Sequence, residues 1–155
     1  MHMSNIEERL KSLGIELPDP PKPQGNYVGA VTYGNLVYLS GSGPMKDHVC
    51  FIVGKVPTDI SEEESYHSAR LTGLNLIATL KNHIGNLDGF KKMIKALGMV
   101  NCEPDFCAKP KVINGFADLM VEIFGDAGRG ARSAVGMGSL PAGIPVEIEM
   151  IVEIK

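Results

Sequence analysis

The chain has 155 residues, enough for one domain whose core can bury roughly 70% of the unfolded surface. Hydrophobic residues make up 44% and charged residues 21%, which excludes the disordered and collagen-like classes. The 15 Lys and Arg against 18 Asp and Glu give a net charge of −3, with no Trp, five Phe and four Tyr to stack on bases, so nucleic acid is not an expected partner.

Cys50, Cys102 and Cys107 are odd in number and form no CxxC, so free thiols in a reducing, cytoplasmic compartment are expected rather than disulfides or zinc. His67 and His83 are too far apart for a helical i, i+4 metal pair, and no metal is expected. The first 17 residues carry Glu7, Glu8, Arg9, Lys11 and Glu16, unlike a secretory signal. No apolar run approaches the roughly 20 residues that span a bilayer, so no membrane partner is expected.

In chain order, residues 5–13 are expected to form a short helix with Ile6, Leu10 and Leu13 on one side, stopping at Gly14. The four prolines of LPDPPKPQ (residues 17–24) fix φ and remove donors, which makes an extended connector. Residues 1–24 are thus read as a helix plus a Pro-rich extension, and residues 25–155 as the compact domain. Strands are expected at 26–32 and 35–40, around the turn signal Tyr33-Gly34-Asn35, with a further strand at 49–53.

Ser61 and Glu64 form a capping box that opens a long helix ending at Gly85. A strand at 90–100, a proline-containing loop and a second helix over 112–124 follow. GDAGRG (residues 125–130) reads as a flexible loop before a strand at 133–137. The last strand, 146–154, alternates Val146, Ile148, Met150, Val152 and Ile154 with Glu147, Glu149, Ile151 and Glu153. One face is therefore core, and Ile151 among carboxylates points to partial cover of the other, for example by another subunit. The whole is an α+β protein with two helices against a mixed sheet.

Three residues could carry chemistry. Arg132 offers a planar fork matched to a carboxylate, and Gly128 and Gly130 beside it would let backbone approach a ligand. Taken alone, most arginines of this kind are surface ion pairs. Glu147 could orient or deprotonate water, although Glu149 and Glu153 look alike by pattern. Tyr27 could wall a pocket, or could simply pack at a strand edge.

Ala131-Arg132-Ser133, then Leu140-Pro141, then Val146-Glu147-Ile148-Glu149 resemble the closing motifs of the Rid family (reactive intermediate deaminases, also called YjgF-type or endoribonuclease L-PSP-type proteins). Gly25-Asn26-Tyr27-Val28 with the GNLVYLSG run (residues 34–41) resembles its first hairpin, and the stretch from Ala69-Arg70 to Asn75 its first helix. The resemblance implies a chorismate-mutase-like fold, a six-stranded mixed sheet with two helices on one face, and a homotrimer with sites between subunits. It implies that Arg132 grips a substrate carboxylate, that Glu147 positions the hydrolytic water, and that Tyr27, Gly41 and Ala134 line the substrate site. The implied reaction is cofactor-free hydrolysis of enamines or imines of amino acids to 2-oxo acids and ammonia.

Two other readings stand beside it: a non-catalytic module that binds small carboxylates, and a ribonuclease or translation inhibitor. Ala134 stands where the family often has cysteine, and Ser42-Gly43 where many members have glutamine. With the long N-terminal extension, these departures point to a divergent subgroup.

Overall fold

The computed structural model describes residues 5–155. Residues 1–4 of the expected N-terminal segment lie outside the described residues. Helix α1 spans Asn5–Ser12, and strands β1 (Ala30–Tyr33) and β2 (Leu36–Ser42) form the first hairpin. A second hairpin, β3 (Met45–Lys46) and β4 (Val49–Cys50), precedes helix α2 (Glu62–Ile84). Strand β5 (Phe90–Asn101), helix α3 (Lys109–Phe124), strand β6 (Ala131–Met137) and strand β7 (Val146–Ile154) complete the fold.

The main sheet has five strands in the order β1-β2-β7-β5-β6, with β5 and β6 parallel and the other pairs antiparallel. The expected six-stranded sheet is corrected here. Of residues 49–53, only Val49 and Cys50 pair, and they pair with Lys46 and Met45 in a separate two-stranded ribbon. Its two-residue turn holds Asp47 and His48 at φ of 50° and 64°, which closes the ribbon on itself. The first strand also begins at Ala30 rather than residue 26, so Tyr27 precedes it. Gly34 supplies the positive φ of 61° at the first position of the two-residue β1–β2 turn.

Alternation in β7 decides the layers. Val146, Ile148, Met150 and Val152 are buried beneath the helices, together with Ala96 and Val100 of β5. Glu147, Glu149 and Ile151 therefore face away from α2 and α3. Ile151 is half-buried, and it lines an open trough with Val31, Tyr38 and Leu97.

Helix α2 starts where its capping box predicts. The Ser61 amide donates to Glu64 Oε2 at 2.8 Å, and the Glu64 amide donates to Ser61 Oγ at 3.1 Å. Gly85 ends it at φ 81°. Its deepest residues are Leu76, Ile77 and Leu80 together with Ser65, Ser68, Thr72 and Gly73, while Leu71, Leu74 and Ile84 are only half-buried. Small residues take the centre because α3 crosses there. A Cβ on Gly73 would meet Leu119 Cδ2 at 2.8 Å, and one on Gly115 would collide with the Tyr66 carbonyl. The Ser68 and Thr72 hydroxyls donate to the Glu64 and Ser68 carbonyls, so their burial leaves no donor unpaired.

Helix α1 docks on the same layer. Asp88 accepts from the Asn5 and Ile6 amides, both at 2.9 Å, and caps the helix from a distant turn. Arg9 donates to the Glu122 carbonyl, and Leu10 joins the core.

Gly115→Ala should destabilise the fold by about 2–3 kcal/mol, since backbone of α2 must move to admit the methyl group. Urea denaturation checks this, with a lower midpoint and an unchanged slope expected.

Candidate functional site

Strand β6 is an edge strand of the main sheet, paired only with β5. Arg132 stands opposite Ala96, on the helix side of the sheet. Its Nη1 donates to Asn114 Oδ1 of α3 at 2.7 Å. An amide fixes the guanidinium's direction without neutralising its charge, and Arg132 makes no ion pair among the described residues. The half-buried cation opens on a cleft of about 350 Å³ between α3 and the start of β6, which Asn114, Asp118, Arg129 and Arg132 line.

Gly128 and Gly130 have a packing task as well as their place on the cleft wall. Cβ atoms there would collide with the Met120 carbonyl and with Met93. The glycines let the loop pack against α3 and β5, and residues 125–128 form a 3₁₀ turn. The loop read as flexible is thus a packed corner that presents Arg132, and both glycines also line the Arg132 cleft.

Glu147 lies on the other side of the sheet, opposite Met99 of β5. It shares a cleft of about 550 Å³ with Tyr27 and Gly41. The carboxylate lies directly over Gly41, and a Cβ at that position would collide with it. Burial, and secondarily the neighbouring Glu149 charge, pushes the Glu147 carboxyl above its ordinary range. No side-chain hydrogen bond or ion pair to Glu147 occurs among the described residues.

The sequence-derived candidates therefore divide. Tyr27, Gly41 and Glu147 meet in one cleft, and Arg132 occupies another. In the sheet, Arg132 and Glu147 are separated by three residues along β5 and by two strand spacings, roughly 10 Å in each direction, and they point to opposite faces. Ala134 follows Arg132 on the helix side, packs against the core and lines neither cleft.

Sequence reasoning missed three contributors. Asn114 carried no motif signal, because its partner lies 18 residues away. The Pro-rich extension supplies Pro21, Lys22 and Gln24 to the wall of the Glu147 cleft, where the Gln24 amide donates to the Tyr27 hydroxyl at 3.1 Å. The β3–β4 ribbon adds His48 and Cys50 to the same wall.

A mixed sheet with two helices on one face and paired clefts at its edges places this chain among the chorismate-mutase-like α+β proteins. A family model described as "YjgF/chorismate mutase-like, putative endoribonuclease" matches residues 7–147, and the chain belongs to this YjgF/Rid family. It is 34% identical to Protein TCP17 of Trypanosoma cruzi over 151 residues, covering 97% of this chain and 94% of the relative. The crystal structure of Atu1372 from Agrobacterium tumefaciens, of unknown function, superposes with TM-score 0.90 at 40% identity, covering 97% of this chain and 92% of that one. E. coli TdcF with bound serine shares the fold at TM-score 0.64 and 24% identity, covering 90% of this chain and 97% of that one.

Glu147→Gln tests the burial of the carboxylate. The native state holds this proton more tightly than the unfolded chain does, so stability linked to it is lost as pH rises through and above the ordinary carboxylate range. The variant should melt like the wild type near pH 4 and at a higher temperature near pH 7. Gly41→Ala should displace the same carboxylate and cancel that pH-dependent difference.

Proposed function

We propose that the protein hydrolyses small, reactive enamine and imine intermediates of amino acids to 2-oxo acids and ammonia, at sites shared between neighbouring copies in a homotrimer. The observation that carries this reading is the Arg132 guanidinium, held in a cleft by a neutral amide and left without a counter-ion. Such a cation is set to receive an anion, and its fork matches a carboxylate. Family membership supports the substrate class. TdcF, which shares the fold, carries serine, a ligand that bears a carboxylate.

In this reading Arg132 of one copy grips the substrate carboxylate, and Glu147 of a neighbour faces the imine carbon. Glu147 takes a proton from water as the oxygen attacks that carbon, and the C=N electron pair moves to nitrogen, which is protonated. A solvent proton completes the amino alcohol; protonated Glu147 then gives its proton to the nitrogen, the hydroxyl loses its own to solvent, the C–N bond breaks, and ammonia leaves as the carbonyl forms. Imine and water thus give 2-oxo acid and ammonia, with side chains and water as the only participants. Burial makes Glu147 a stronger base than an ordinary carboxylate. Gly41 leaves room for it, and Tyr27 walls the pocket. Opposed placement in a single copy accounts for the need of a second copy.

Arg132→Ala should lower kcat/KM for freshly generated 2-iminopropanoate by about 10²–10³, the loss of one two-pronged charged contact. Ammonia release measures this, and equal rates in the two proteins would reject the proposal. With Glu147 as base, kcat/KM of the wild type should fall as pH drops through the raised carboxyl range. Binding of a 2-oxo acid that needs Arg132 but survives Glu147→Gln, with no turnover by the wild type, would instead identify a binding module. A monomer at working concentration would remove the shared site.

The ribonuclease reading finds less support. The chain has a net charge of −3, and Glu147, Glu149 and Glu153 line up on the open side of β7, where a phosphate backbone would be repelled.

A further inference from the structure

The Arg132 cleft is larger than a three-carbon acid requires. Its volume of about 350 Å³ corresponds to roughly ten water molecules, more than an acid of six heavy atoms fills. The spare space runs along α3 from Asn114 toward Asp118. These residues are four apart on one helix face, about 6 Å along its axis. The Tyr66 hydroxyl donates to Asp118 Oδ2 at 2.7 Å, which orients the carboxylate and leaves its other oxygen free for a ligand. Tyr66 is tied to this contact, since the hydrogen bond to Asp118 holds its phenol above the ordinary range. Asp118 makes no ion pair among the described residues. Arg129 also lines the cleft, but its Nε is engaged by Asp126 at 3.1 Å. One groove thus carries an unpaired cation at one end and an oriented, unpaired anion a helical turn away.

The geometry points to Asp118 as a specificity-determining residue that favours imino acids with a cationic side chain, the α-carboxylate on Arg132 and the distal cation on Asp118. This rests on the function proposed above and deepens it. An extended arginine-derived imine has the reach to span the two groups, whereas a leucine-derived imine leaves Asp118 without a partner.

The test compares imines generated in place from arginine and from leucine by an amino-acid oxidase, each corrected for uncatalysed hydrolysis. The wild type should prefer the arginine-derived imine in kcat/KM. Asp118→Asn should reduce that ratio by about two- to fivefold, the size of one part-exposed ion pair, through a loss on the arginine-derived imine larger than any on the leucine-derived one. Tyr66→Phe should shift the ratio in the same direction by less. An unaltered ratio in Asp118→Asn, or equal loss on both substrates, would overturn the inference. Should no imine be turned over at all, the proposed function fails separately. Selectivity is then read by calorimetric titration of arginine against leucine, where equal affinities, or a preference that survives Asp118→Asn, would overturn it.

Discussion

Arg132 is held by Asn114, and that one hydrogen bond determines how everything around it can be read. A carboxylate partner would have made an ordinary ion pair and left no charge to spare. The amide orients the guanidinium and preserves its charge, so the cleft retains an appetite for an anion. The packed corner at Gly128 and Gly130 makes this possible by bringing the start of β6 against α3 and β5. Those glycines shape the site through packing and line its wall.

The second constraint is the pleat of the sheet. Because side chains alternate, burying Val146, Ile148, Met150 and Val152 under the helices sends Glu147 to the opposite side from Arg132. One copy of the chain therefore carries two separate clefts, one cationic and one with a half-buried carboxylate. The proposed shared site follows from that separation, and it gives the exposed Tyr27 and Val31 and the trough around Ile151 a reason to be apolar.

The long helix was legible because its start and stop are local: Ser61, Glu64 and Gly85 act on backbone within one turn. Strand β7 was legible through its period of two. The sixth strand failed because residues 49–53 have strand-like composition, yet the Asp47-His48 turn folds them onto Met45 and Lys46 instead of the main sheet. On α2 the crossing with α3 demands small residues where an isolated amphipathic helix would carry large ones, a demand that no local pattern announces. Family motifs picked out Arg132, Glu147, Tyr27 and Gly41, and chain order alone could not say which of them meet.

From its order of residues alone, this protein determined its element types, its caps and turns and the buried face of its last strand, since each depends on neighbours a few positions away. Tertiary structure decided the rest. It set Asn114 beside Arg132, laid Glu147 over Gly41, brought the Pro-rich segment to the wall of the same cleft and placed the two clefts on opposite sides of the sheet. Those relations join residues far apart in the chain, and only packing brings them within reach of one another.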